Sequence, residues 1–436
     1  MTARLARVLF DATEQAPPVP PAEDMWRRGR RRRRRRRTAA ALACLLTVAA
    51  ALVWAPQRSR TSLQFAGTGA TVLPSSVAEP HLWQRTLDGD PNGPVKLAFT
   101  TGHSLNLETA LVLVGADDGY RLDYTEMGLE PAVLSPDGRW LLDRNLRDLV
   151  TGQTRDLDRS LTGYVPAVWA PDSRTAVGVI MPDGGATGYG PDGEELDGPD
   201  DEAVLVDAAS GGVRTIGTFP DATRWQAAFS PDGDTIAMHA LGAGTESVLT
   251  IVDTDSPDPP RTVTVSERQR LAGPAAWTPD GAQILLAAAE GCAWGAQCAG
   301  QTWHLQRIDV ATGTVTDETT RGRRGTPSVV AWRDGEPIAQ LTRDDRSCET
   351  VALTPTGTRT LPLTAAGIGC ADYARDLLEE GTLGGPGIEP SMWEAQWWAY
   401  ALVVVLLAPL PLIARRIWRR KRSRDQNPVG HDGHSP

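Results

Sequence analysis

The sequence is nearly without lysine: two occur in 436 residues, against 42 arginines. Catalytic signatures are absent too. No Gly-x-Ser-x-Gly string occurs, and no second α/β domain is present to house a nucleophilic triad. No glycine-rich phosphate loop is found. The six histidines (His81, His103, His239, His304, His431, His434) are scattered along the chain. Neither they nor the cysteines have the clustered spacing that zinc requires. These absences lead to the expectation that the protein is not an enzyme and uses no metal or cofactor. One stretch, "DGDPNG" at 88–93, starts like a calcium loop, but its twelfth position is Phe99 where a bidentate glutamate belongs.

What is present is strongly segregated. Residues 1–37 hold 12 arginines and four acids, residues 396–436 hold seven basic and two acidic residues, and the body between has a net charge of about −23. An acidic body excludes nucleic acid as an expected partner. Residues 38–55, "TAAALACLLTVAAALVWA", carry no charge and follow eight consecutive arginines, Arg30–Arg37. Eighteen helical residues span roughly 27 Å, enough to cross a bilayer's hydrocarbon core. A second uncharged run, "WWAYALVVVLLAPLPLIA" at 397–414, has aromatic residues at its start and "RRIWRRKRSR" after it. Both arginine clusters belong on the cytoplasmic side. Two crossings of a lipid bilayer satisfy both, placing residues 56–395 outside the cell membrane. The alternative for residues 1–55 is a cleaved secretory signal, with "VWA" at 53–55 as the cleavage site.

The body repeats a phrase: "LSPDGRW" at 134–140, "WAPDSRT" at 169–175, "FSPDGDT" at 229–235 and "WTPDGAQ" at 277–283. Proline presets the first turn corner, aspartate bonds the local backbone, and glycine accepts a positive φ. The turn residues are Pro136, Asp137 and Gly138; Pro171 and Asp172; Pro231, Asp232 and Gly233; Pro279, Asp280 and Gly281. Ser173 replaces glycine in the second copy, so its turn could differ in type. Each phrase follows a short apolar run, so it reads as the hairpin between two strands. Four short strands per unit of about 45 residues is the pattern of a propeller blade. Units are read at 81–127, 130–160, 164–218, 222–266, 272–318 and 325–363, with Arg333-Asp334-Gly335 as the last turn. The fold class is therefore all-β, a six-bladed β-propeller (five to seven blades fit) flanked by two transmembrane helices. Linkers are expected at 56–80 and 366–396.

With its aromatic-Ser-Pro-Asp-Gly hairpins, the sequence resembles the TolB-type, WD-repeat-like β-propeller family over residues 80–365. The overall layout is similar to that of actinobacterial membrane-anchored propeller proteins. The resemblance implies fold more than function.

Two features remain. Outside the membrane, four cysteines allow three pairings; Cys292–Cys298 and Cys348–Cys370 are favoured. Two connections between second and third strands are unusual: the acidic segment 181–202, and "EGCAWGAQCAGQ" at 290–301, with Trp294 between its cysteines. Loops carry recognition on repeat scaffolds. The candidate binding residues are Asp192, Glu194, Glu195, Asp197, Asp200, Asp201 and Trp294, facing a protein or envelope component. The expected function is a membrane-anchored, extracytoplasmic binding or scaffolding module. The alternatives are an anti-sigma-like regulator signalling through residues 1–37, or a propeller hydrolase with its site built from loop carboxylates.

Overall fold

The computed structural model describes residues 71–391, less 82, 88–89, 92, 102–109, 125–131, 156, 158–162, 182–199, 220–223, 242–246, 257–258, 291–301, 324 and 344–346, together with single positions between 399 and 417. Six four-stranded antiparallel sheets follow one another along the chain, which makes the body a six-bladed β-propeller. Blades 2 to 6 are consecutive. Their inner strands are Val133–Leu134, Tyr164–Trp169, Arg224–Phe229, Gln269–Leu271 and Thr326–Arg333.

Blade 1 is assembled differently. Its second, third and fourth strands are Val95–Thr100, Leu111–Gly115 and Tyr120–Asp123, but its inner strand is Ile368–Tyr373, from the other end of the chain. The stretch "HLWQRT" at 81–86, which opens the expected first unit as its first strand, lies instead on the outer edge of the blade. Thr86 bridges Leu122 in parallel, and the amide of Leu122 donates to the Arg85 carbonyl at 2.8 Å. The mixed polar and apolar stretch 81–86 fits either edge of a sheet, so composition could not separate the two.

The segments expected as linkers also supply structure. Val72–Pro74 pairs in parallel with Thr382–Gly385, and Ser76–Val77 with Thr364–Ala365. Between them, the helix Arg375–Glu379 packs Leu377 and Leu378 against the core. The core is a run of apolar side chains sandwiched between successive blades, such as the cluster of Trp277, Trp303 and Trp332 with residues of blades 4, 5 and 6.

Blades are held to one another by a repeated bond. The tryptophan that precedes the hairpin turn donates its indole N–H to the inner segment of the blade before. Trp169 reaches the Val133 carbonyl at 3.0 Å, Trp277 the Ala228 carbonyl at 3.0 Å and Trp332 the Ala275 carbonyl at 2.8 Å. A buried indole N–H usually finds an acceptor, and in these three tryptophans the bond joins neighbouring blades.

The first expected transmembrane run, 38–55, lies outside the described residues. For the second, positions 402, 403, 406, 407, 410, 413 and 417 are helical where described. Their Leu, Val and Ile side chains are half exposed or more. Among the described residues, no helix is long and apolar enough to cross a membrane.

Candidate functional site

The repeated turns lie at the end of each blade where its first strand meets its second. In three copies the bonding is the same. The amide of Gly138 donates to the Ser135 carbonyl at 2.8 Å, Gly233 to Ser230 at 3.0 Å and Gly281 to Thr278 at 2.8 Å, with φ of +70°, +82° and +68°. Within each turn the Ser or Thr hydroxyl donates to the aspartate two residues on: Ser135 to Asp137, Ser230 to Asp232, Thr278 to Asp280. The same hydroxyl oxygen accepts the amide at the start of the next strand, from Trp140, Thr235 or Gln283. These hydroxyl bonds hold the Asp232 and Asp280 carboxyls below their ordinary value. Ser173 takes the same left-handed conformation (φ +59°), and its hydroxyl accepts the Asp137 amide of the neighbouring blade at 3.1 Å. Its turn is thus of the same type as the glycine copies.

A second repeat lies at the same end of the blades, between third and fourth strands: Asp148-Leu-Val-Thr-Gly152, Asp207-Ala-Ala-Ser-Gly211 and Asp309-Val-Ala-Thr-Gly313. Each glycine has a positive φ, of +73°, +75° and +73°, and donates its amide to the aspartate carbonyl. Ser210 and Thr312 each give a hydroxyl hydrogen bond to the aspartate of their turn, which holds Asp207 and Asp309 below the usual carboxylate range. From the fourth strand an arginine then reaches the next blade's turn: Arg155 to the Ala208 and Ala209 carbonyls, Arg214 to Thr254, Arg261 to Val310. Sequence reasoning missed this ladder, although the string Asp-x-x-Ser/Thr-Gly is visible three times and marks it.

The other end of the blades, where second strands lead to third, carries the expected recognition residues. Asp192, Glu194, Glu195 and Asp197 lie outside the described residues, as do Trp294, Cys292 and Cys298. Asp200 is exposed. Asp201 is not a surface ligand. It starts the third strand of blade 3 with only 1% of its surface exposed, and its carboxylate accepts the Trp225 indole N–H at 2.7 Å. A carboxylate that caps a buried donor is committed to packing. Of the favoured disulfides, Cys348–Cys370 is formed. Asp90 of the calcium-like string faces Arg85 at 2.9 Å and Arg121 at 3.3 Å.

At this end of blade 5 the structure brings together residues that look scattered in sequence. His304 stands between Glu290 and Asp317, each 3.4 Å from a ring nitrogen. Thr302 donates its hydroxyl to the other Glu290 oxygen at 2.6 Å. Glu290 and Thr302 are the described residues that flank the cysteine-containing segment. Among the described residues, no group of three or more His, Cys, Asp or Glu side chains is arranged to hold a metal ion.

One Ser–His pair has the separation expected of a nucleophile and its base: His239 Nε2 is 2.5 Å from Ser247 Oγ. The other ring nitrogen decides its chemistry. Nδ1 accepts the Leu271 amide at 3.2 Å, so in the neutral ring the proton sits on Nε2 and is donated to the serine. Burial lowers the ring's pKa to about 4, with Arg270 adding to the effect, so the neutral form holds at pH 7. A ring that donates to the hydroxyl cannot take its proton. The pair lies within blade 4, and the ring's bond to the Leu271 amide joins that blade to blade 5.

No family model matches the sequence, and no curated protein matches it. Among solved structures the chain is similar to TolB from Acinetobacter baumannii, with 14% identity over 65% of each chain and a TM-score of 0.39. The match thus spans about two thirds of that TolB. It is also similar to an oligogalacturonate lyase in complex with manganese (16% identity, 62% of this chain and 74% of that one, TM-score 0.42). A third is the acylaminoacyl peptidase of Pyrococcus horikoshii (13% identity, 65% and 48%, TM-score 0.39). Because a lyase and a peptidase share the fold, the expectation that the chain is not an enzyme does not follow from it. At these identities the likeness is one of fold, with no activity attached.

Proposed function

We propose that the protein is a propeller held at a membrane by apolar segments at both ends, with one face of the propeller binding a basic protein or envelope component. The observation that carries the binding part is the contrast between the two ends of the blades. At one end the turns are short and their polar groups are satisfied within the turn or by the next blade. At the other, the second and third strands of blade 3 are separated by residues 181–200, and those of blade 5 by residues 291–301. Six acids lie in residues 181–200: Asp183, Asp192, Glu194, Glu195, Asp197 and Asp200. They supply long-range attraction for a basic partner, weakened by salt. Trp294 supplies the kind of aromatic anchor that dominates interfaces.

The membrane part rests on the uncharged runs 38–55 and 397–414 with their flanking arginines. The exposed Leu402, Leu406, Leu410 and Ile413 also support it, since aliphatic side chains left in water on a helix call for an apolar surround.

The test of the binding face deletes residues 184–200 and, separately, replaces Trp294 by Ala in the full chain. Envelope crosslinking then compares both variants with the parent. Loss of the same captured protein from both, with melting temperature unchanged and capture weakened by salt, is the expected result. An unaltered capture profile in both would contradict it.

A further inference from the structure

The propeller is closed by a strand that has no short turn to hold it. In blades 3, 4 and 6 a hairpin joins the inner strand to its neighbour. Ile368–Tyr373 is separated from its partner, Val95–Thr100, by most of the chain. Their ladder is also interrupted: Ile368 pairs with Thr100, the register shifts, and pairing resumes with Asp372 opposite Ala98 and Tyr373 opposite Leu97. Cys370 sits in that interruption, next to Gly369 with its φ of +80°.

Its sulfur is bonded to Cys348, the first residue of the third strand of blade 6, with a Cα–Cα distance of 5.0 Å. Two further contacts run the same way. The Gln340 side-chain amide donates to the Ala371 carbonyl, and Tyr373 shares a hydrogen bond with Thr350. On the opposite flank the Asp372 carboxylate accepts the Leu134 amide of blade 2 at 2.7 Å. The closing strand is thus fixed to blade 6 covalently, and to blades 1 and 2 by hydrogen bonds and apolar packing without a covalent link. Both cysteines are partly exposed, so a reagent in solution reaches the bond.

We propose that the Cys348–Cys370 disulfide is a redox-sensitive clasp. Oxidised, it holds the closing strand on blade 6 in register for Val95–Thr100; reduced, it lets that ladder fray and the ring open there. The reductant is a dithiol. One of its thiolates attacks a disulfide sulfur, the S–S bond breaks, and a mixed disulfide forms. The second thiol of the reagent displaces the protein sulfur. Two electrons and two protons pass to the protein, leaving two cysteine thiols and one oxidised dithiol. The bridge closes a segment of 22 residues, and its loss returns conformational freedom to a strand whose remaining bonds are few.

The test is amide hydrogen exchange on the full-length protein before and after dithiothreitol, and on Cys348→Ser/Cys370→Ser. A Cys292→Ser/Cys298→Ser chain treated with dithiothreitol assigns the effect to the right pair. The expected result is exchange at least ten-fold faster at residues 97–100 and 368–373 and at the Leu134 amide, with Ser247–Asp253 unchanged. If the double variant does not fold, the reduced parent chain gives the same reading. Unchanged exchange at 97–100 after complete reduction, or an equal rise in every blade, would overturn the proposal.

Discussion

Gly138 and Gly233 occupy the same place in the repeated phrase but are under different constraints. Both hold a positive φ, so a β-branched residue at either costs about 1–3 kcal/mol of backbone strain. At Gly138 a Cβ would also lie 2.1 Å from the Val95 carbonyl oxygen, because the turn docks on blade 1 through the Val95 amide; at Gly233 the nearest atom is 3.9 Å away. Overpacking adds about 1–3 kcal/mol where backbone is met. Gly138→Val should therefore lower the denaturation midpoint more than Gly233→Val, and both should fall below the parent. Equal midpoints for the two would contradict the docking.

The turn carboxylates give a further outcome. Asp232 and Asp280 titrate below their ordinary value because of their hydroxyl partners. The stability they add is therefore present above about pH 4, the unfolded value, and is lost as pH falls towards their folded values. In an acid titration followed by circular dichroism, Asp232→Asn should make unfolding less steep below pH 4. At this scale the turn residues were legible, since Pro, Asp and Gly each have a local reason to be there. Asp201 was not: its partner Trp225 lies 24 positions away, and nothing local distinguishes a buried acid from its exposed neighbours in "DGPDDE".

The tryptophan bonds between blades belong to the scale of elements. Trp277→Phe keeps the ring's packing and removes the donor, leaving the buried Ala228 carbonyl without it. The expected loss is about 1–3 kcal/mol, read as a lower denaturant midpoint at unchanged slope. Phe229 and Leu134 stand at the matching positions of blades 4 and 2 and have no N–H to give. Phe229→Leu should therefore show only a packing cost. Most blades could be read from sequence because their strands are joined by hairpins whose turn chemistry is local. The inner strand of blade 1 could not, because its partner is set by ring closure and no local pattern encodes a pairing between residues as far apart as Ile368 and Thr100. The arginine ladder lay between these cases: its turn string repeats, but the acceptor is a backbone carbonyl of the next blade.

Ring closure and the proposed membrane attachment belong to the scale of the whole molecule. Burial pushes the Asp372 carboxyl up to about 7, partly offset by the Leu134 amide it accepts. A carboxyl raised on folding adds stability that is fully present below about pH 4, its unfolded value, and is lost as pH rises through about 7. The parent should therefore lose part of its stability between pH 5 and pH 8, and Asp372→Asn should lose less. Parallel pH profiles for the two would contradict that assignment.

The claim on which the functional account depends is that residues 56–395 lie outside the cell, with both arginine clusters inside. Single cysteines are placed at Pro20, Ser59, Pro390 and Asp425, and labelling by a membrane-impermeant thiol reagent is followed peptide by peptide in intact cells. The account predicts label at 59 and 390 and none at 20 and 425 until the cells are lysed. Label at 425 in unlysed cells would contradict it.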